Sequence, residues 1–346
     1  MAMITACSAW VGDWMRLRRV DLTGRGLEHL PRCALRVDGI HHLSLAGNRL
    51  QAFPDLHGML SLKELYLDRN QMEQLPDQFA DNLSGLEAFS VFDNRLRAIP
   101  DSLWGRTKLR VLNVSANQIE HISRKIGNLR ELRMLDLGHN KISSLPDEIG
   151  ELANLSDYLY LSDNALASVP ASIGRLGGLR YLNLSDNRLE SLPQSFGGLT
   201  ALQELRLYNN RLTALPESSG NLHNLRELHA MKNQLTVLPP AVGDLQELRE
   251  LRLMDNRICS LPESIGRLRL LRILDLRNND LQTVPDSLGN LTSLIHLDLR
   301  ANKLTALPDS LQRLPHLEKL DLRWNRIRKF PVWLAHLEER GCVVLR

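Results

Sequence analysis

The chain has 346 residues, of which 73 are leucine and only 5% are aromatic. A core filled by one aliphatic residue points to a small packing unit used many times, not to two ordinary domains. Charged residues make up 24%, and 43 basic residues nearly balance 40 acidic ones. With 43% apolar residues the composition is globular rather than disordered, the charge balance gives no case for nucleic acid or an acidic membrane surface as partner, and no apolar run is long enough to span a membrane.

In chain order, residues 1–16 come first and hold Trp10 and Trp14. A short apolar helix capping the first repeat is expected there. No basic stretch precedes the apolar part and Asp13 interrupts its end, so this is not read as a signal peptide. Cys7, Cys33, Cys259 and Cys342 lie far apart without C-x-x-C spacing. They fit neither a zinc site nor a disulfide framework, and the expected location is a reducing cytosol.

From residue 17 to 331 the string L-x-x-L-x-L-x-x-N-x-L-x-x-L-P recurs. Its asparagines are Asn48, Asn70, Asn94, Asn117, Asn140, Asn164, Asn187, Asn210, Asn233, Asn256, Asn279, Asn302 and Asn325. Successive spacings are 22, 24, 23, 23 and 24, then 23 at every later step. Arg25 takes the same column 23 residues before Asn48, which makes 14 units, 13 of them with Asn. Thirteen of the 15 prolines fall in the L-P column, and Ser123 replaces Pro in one unit.

Physical chemistry assigns each column a task. The L-x-L core alternates with period two and reads as a short strand with leucine on its inner face. The asparagine amide can satisfy backbone groups of the turns above and below it, forming a ladder. Proline fixes the chain as it enters the outer side. The apolar residue and glycine that follow, as in Ile265-Gly266, suit a short helical turn and its exit. Parallel strands about 4.8 Å apart would give a strand face roughly 60 Å long. Each unit buries its leucines against its neighbours only, so one α/β solenoid with a concave parallel sheet is expected, not two domains.

The pattern breaks in few places. A 22-residue step surrounds Pro54, and 24-residue steps add a residue near Phe79 and near Leu155. The second insertion abuts a strand, which predicts a bulge or irregular turn. Ser219 stands where other units place a larger apolar residue. It reads either as a weak spot in the outer core or as a small docking dent.

At the far end, residues 332–346 are expected to cap the stack. Val332 to Arg340 reads as a helix broken by Gly341. The 23-residue spacing then puts Val343 and Leu345 on the two leucine columns of a truncated fifteenth strand.

Function on such a scaffold lies outside the repeat consensus. The residues six, four and two places before each ladder asparagine point to the concave face. All five tyrosines lie in these columns: Tyr66, Tyr158, Tyr160, Tyr181 and Tyr208. Tyrosine favours exposed strand positions for its own sake. It also supplies the large contact area of a binding surface. Phe92, Val111, Met134, Met231 and Met254 extend the apolar character, as a partner site would. Arg206, His229 and Arg252 face Glu204, Glu227 and Glu250, which is where a polar hot spot is expected. Over residues 275–323, Asp275-Leu-Arg277, Asp298-Leu-Arg300 and Asp321-Leu-Arg323 repeat. They read as a self-satisfied ion-pair network or as a zone for a polar partner.

The string resembles the leucine-rich repeat family over residues 17–346. The run Leu248 to Leu268, with Asn256, Pro262 and Gly266, carries the resemblance well. The L-P-x-x-I-G-x-L half is most similar to the intracellular 23-residue subtype. That subtype includes the plant Ras-group proteins, the animal Ras–Raf scaffold and bacterial relatives. The resemblance implies a horseshoe with short helical or 3-10 outer segments.

There is no phosphate-binding loop, no H-E-x-x-H and no G-x-S-x-G, and the only adjacent histidines are His41 and His42. The expectation is a monomeric, non-enzymatic protein-binding scaffold without cofactor or metal. Its partner would be a protein, with a small GTPase or signalling complex implied by the subtype. The alternative is a bacterial effector or surface factor that binds a host protein, with a secretion signal within residues 1–15.

Overall fold

A computed structural model describes residues 18–30 and 39–346. The expected cap over residues 1–16, with Cys7, Cys33 and Pro31, lies outside the described residues. Contacts divide the chain into two compact units, Met1–Ala165 and Leu166–Arg346.

In the first unit seven three-residue strands run parallel in chain order: β1 (Arg19–Asp21), β2 (His42–Ser44), β3 (Glu64–Tyr66), β4 (Ala88–Ser90), β5 (Val111–Asn113), β6 (Met134–Asp136) and β7 (Tyr158–Tyr160). The register places Leu43 beside Leu65, Leu65 beside Phe89 and Leu112 beside Leu135. The second unit holds β8 (Tyr181–Asn183), β9 (Glu204–Arg206), β10 (Glu227–His229), β11 (Glu250–Arg252), β12 (Ile273–Asp275), β13 (His296–Asp298), β14 (Lys319–Asp321) and β15 (Val343–Leu345). There Leu205, Leu228 and Leu251 stack in the same way. The expected repeat solenoid is what each unit contains.

The strands stop after three residues because the next turn is left-handed. The residue just before each ladder asparagine has positive φ, from Gly47 at 64° through Ala116 at 51° to Trp324 at 59°. That conformation costs an ordinary residue roughly 1–2 kcal/mol. It persists because the asparagine behind it is bonded on all sides. Asn70 shows the pattern: Oδ1 accepts the Leu50 N–H at 3.0 Å, and Nδ2 donates to the carbonyls of Leu45 (3.0 Å) and Leu67 (2.9 Å). Asn94, Asn210, Asn233, Asn279 and Asn302 repeat it in their own units. The ladder read from the sequence is therefore present.

The outer side is built by proline. Pro262, at φ −70° and ψ 148°, leads into the 3-10 turn Glu263–Arg267, and Leu268 closes it by donating to the Ile265 carbonyl. Where Ser123 replaces proline, its hydroxyl accepts the Lys125 N–H at 3.3 Å and caps the turn instead. The glycines of these turns need a correction. Gly266 lies inside its turn and is not among the residues with positive φ. A Cβ on it would collide with the backbone and side chain of Ser287 in the next unit. Glycine is required here for the close approach of neighbouring turns, not for the exit of a helix.

Irregular spacing is absorbed outside the strands. The insertion near Phe79 falls in turns over residues 77–82. The one near Leu155 makes a bend at Asp157, while Leu155 stays 1% exposed and β7 still pairs Tyr158 with Met134. Ser219 is buried and its carbonyl accepts the Leu222 N–H, so it is part of the outer core.

At the end of the chain, α1 (Trp333–Glu339) closes the last repeat. Trp333 Nε1 donates to Asp309 at 2.9 Å, and Gly341 turns the chain at φ 92°. The fifteenth strand forms, but one residue later than expected. Lys319 pairs with Val343, Leu320 with Val344 and Asp321 with Leu345. Val344, not Val343, therefore takes the leucine column, and Val343 is 56% exposed. The cause is α1 and its Gly341 exit, which take up one residue more than a 3-10 turn. A one-residue slip exchanges the faces of a strand. No described helix is long and apolar enough to cross a membrane.

Candidate functional site: the exposed strand face

Alternation along each short strand buries the central leucine and leaves the residues on either side half-exposed, as in β3, β6, β7, β9, β10 and β11. All five tyrosines are half-buried on this face, as their columns predict.

On this face of the first unit two aromatic groups stand out. The His42 and Tyr66 rings lie 5.3 Å apart, and His42 Nδ1 is 2.8 Å from Glu64 Oε2. Tyr66 donates to the same carboxylate at 3.4 Å. Burial, with help from Glu64, pushes the Tyr66 phenol up from its ordinary value. The second group is Tyr158 and Tyr160, whose rings lie 4.8 Å apart at 55°. Met134 and Asp136 lie beside them in register on β6. Phe92 stands apart, with the Arg69 guanidinium 5.8 Å from its ring.

In the second unit the polar residues form two rows across β9, β10 and β11. Glu204, Glu227 and Glu250 are one row, and Arg206, His229 and Arg252 are the other. Glu204 accepts from Arg206 Nε at 2.6 Å. Glu250 Oε2 accepts from Arg252 at 3.1 and 2.9 Å. The middle pair differs: His229 Nε2 is 3.6 Å from Glu227 Oε2 and 3.8 Å from Glu250 Oε2, beyond a hydrogen bond. Burial, then repulsion from Glu204 and Glu250, raises the Glu227 pKa above its ordinary value. Burial, then Arg252 and Arg206, lowers that of His229. The Arg206 guanidinium also lies 5.5 Å from the Tyr181 ring. On the neighbouring strands Arg277 reaches the Met254 sulfur. Tyr208 and Met231 complete the exposed set, each half-buried.

The Asp and Arg repeats resolve into local contacts. Asp275, Asp298 and Asp321 each accept the backbone N–H of the Arg two residues on, at 3.0–3.2 Å. Asn113 and Asn183 do the same for Ser115 and Ser185 at 3.0 Å. This column closes the strand end, a role that spacing alone did not disclose. Arg323 pairs with its own Asp321 at 2.6 Å, and Arg277 approaches its own Asp275 at 3.8 Å. These two pairs form within one repeat unit, not between neighbouring units.

Sequence reasoning missed Trp324. It is 73% exposed, with Arg300 and Arg323 at 5.4 and 5.8 Å from its ring. It falls one place before the ladder asparagine, outside the three columns considered. A bulky residue in a column otherwise holding Gly, Asp, Asn and other polar or small residues was the available signal.

Known proteins match over much of the chain. A family model described as a leucine-rich repeat region covers residues 171–256 and 239–339, and one described as leucine rich repeat covers 60–119 and 107–166. A leucine-rich repeat protein of Leptospira interrogans superposes with a TM-score of 0.80 at 29% identity, covering 97% of each chain. The plant peptide hormone receptor RGFR1 in complex with RGF2 superposes with a TM-score of 0.66 at 26% identity, over 86% of this chain and 57% of that one. Among curated relatives, bovine (Bos taurus) opticin is 35% identical over 106 residues, which is 30% of this chain and 32% of opticin. The chain thus spans about a third of that relative, and only 5% of a mouse leucine-rich repeat kinase that it also matches.

Proposed function

We propose that the chain, which belongs to the leucine-rich repeat family, works as a non-enzymatic module that holds a protein or peptide partner on its exposed strand face. The observation that carries this reading is the placement of every tyrosine on that face, with the Arg206 guanidinium against the Tyr181 ring in the second unit. Tyrosine and arginine dominate interface hot spots, because each buries much area while keeping a polar tip. The plant receptor noted above is described in complex with a hormone partner, which supports the same use here.

The test is affinity capture with two folded variants, one for each unit. One carries Tyr181→Ala, Arg206→Ala and Tyr208→Ala; the other carries Tyr158→Ala and Tyr160→Ala. We expect at least one to lose partners that the wild type retains. Recovery of the same partners in the same amounts by both would sink the reading.

The narrower form of this reading is a cytoplasmic monomer that binds a small GTPase or its signalling complex. The 23-residue subtype supports it, and direct binding to GTP-loaded against GDP-loaded small GTPases tests it. A second reading, a bacterial factor that binds a host protein, draws on the likeness to the Leptospira protein over nearly its whole length. Parallel captures from bacterial and host extracts separate the two.

A further inference from the structure

The rows on β9, β10 and β11 leave one charge without an answer. Arg206 and Arg252 are bonded to Glu204 and Glu250, at the two ends of the carboxylate row. The central Glu227 has no cationic group within hydrogen-bonding distance, since its nearest is His229 at 3.6 Å. His229 is itself 13% exposed, and its Nε2 is buried with no hydrogen-bond partner among the described residues. A buried polar atom left unpaired is uncommon and asks for a ligand. One ligand atom each from Glu204, Glu227 and His229 lie within 4.8 Å of one another.

We propose that Glu204, Glu227 and His229 form a binding site for a divalent transition-metal ion of the zinc type. An imidazole nitrogen with two carboxylate oxygens is a donor set that such an ion accepts at about 2.0–2.2 Å. In tetrahedral geometry those donors would lie roughly 3.4 Å apart. Closing from 4.8 Å needs side-chain rotation only, because strand pairing holds the three backbones in register. Glu204 binds Arg206 through Oε1, so its second oxygen is the one offered to the metal. The cation would give Glu227 the direct partner that the more distant Arg206 and Arg252 do not provide, and it would accept the lone pair of His229 Nε2. The glutamate row faces solvent, so a fourth coordination position stays open. The inference does not depend on the partner-binding reading.

The experiment uses the full chain, dialysed against a chelator and with its thiols alkylated, and titrates Zn²⁺ by calorimetry. Co²⁺ is added in parallel and followed by its visible absorption. The wild type should bind one equivalent saturably, and Co²⁺ should show the bands of a low-coordinate nitrogen–oxygen site. His229→Gln and Glu227→Gln should each weaken binding about tenfold or more, a loss at least as large as that seen for outer-shell changes at metal sites. His139→Gln, at an exposed imidazole bonded to Asp163, should leave binding unchanged. Glu227 is 40% exposed, so its variant folds and carries the test by itself should His229→Gln not fold. Absence of saturable binding in the wild type, or wild-type affinity in Glu227→Gln, overturns the assignment.

Discussion

A Cβ built on Gly220 would lie 2.7 Å from both the Cβ and the carbonyl oxygen of Ala241 in the next outer turn. Real Cβ atoms do not tolerate that distance, so the spacing of successive turns depends on a missing methyl group. Gly220→Ala must push the two turns apart, and both are buried against their neighbours. We expect a loss of about 1–3 kcal/mol, the usual cost of overpacking. Gly178 has nothing within 4 Å of a Cβ, so Gly178→Ala should cost much less. Denaturant melts of the two variants check the difference, and equal midpoints would contradict the packing account.

The ladder makes a separate prediction. Asn210 accepts from Leu189 N–H at 3.0 Å and donates to the Leu184 and Leu207 carbonyls at 2.9 and 3.0 Å. Asn210→Ala leaves the buried Leu189 N–H without a partner and takes one donor from each carbonyl, which Asn187 and Asn233 still serve, and the orphaned N–H costs about 1–3 kcal/mol. Asn210→Asp keeps the acceptor and loses both donors, so it should not restore the wild-type midpoint. A melting curve unchanged in Asn210→Ala would count against the ladder as a source of stability.

These two cases show what the sequence made legible. The ladder and the short strands could be read because period-two leucines and a fixed asparagine column each have one cheap structural solution. The tyrosines could be placed on the exposed face for the same reason. The task of the glycine column could not be read, because an intimate contact between Gly220 and Ala241 looks, in one dimension, like a turn exit. The register of β15 was misplaced because the residue taken up by α1 and Gly341 cannot be counted before the helix type is known. The central Glu227 and His229 were visible as facing columns, but their failure to bond is a matter of a fraction of an ångström.

The left-handed column yields a change that should stabilise the protein. Ala301 has φ 54°, a region that costs an alanine roughly 1–2 kcal/mol and costs glycine nothing steric. Gly47 already occupies the equivalent place at φ 64°. Glycine gives back part of the gain through the entropy of the unfolded chain, so Ala301→Gly should stabilise by about 0.5–1 kcal/mol. Ala171, in a proline-led outer turn, is the control, where the same change to glycine should destabilise. A lower midpoint for Ala301→Gly would refute the strain argument.

Asp136 makes a prediction with a pH signature. Its carboxylate accepts the Gly138 N–H at 3.0 Å, and burial raises its pKa above the ordinary 3.8 despite that bond. The folded state therefore holds the proton more tightly than the unfolded state does. Stability from this group is fully present below pH 3.8 and is lost as pH rises through the raised folded value. Asn113 and Asn183 perform the same backbone closure without a charge. Asp136→Asn should therefore keep the strand end intact and be more stable than wild type at neutral pH. The advantage should shrink towards zero as pH falls below 3.8, where the wild-type carboxyl is protonated in both states. Thermal melts of both proteins at neutral and acidic pH measure it directly, and an advantage that grew on acidification would reverse the sign of the argument.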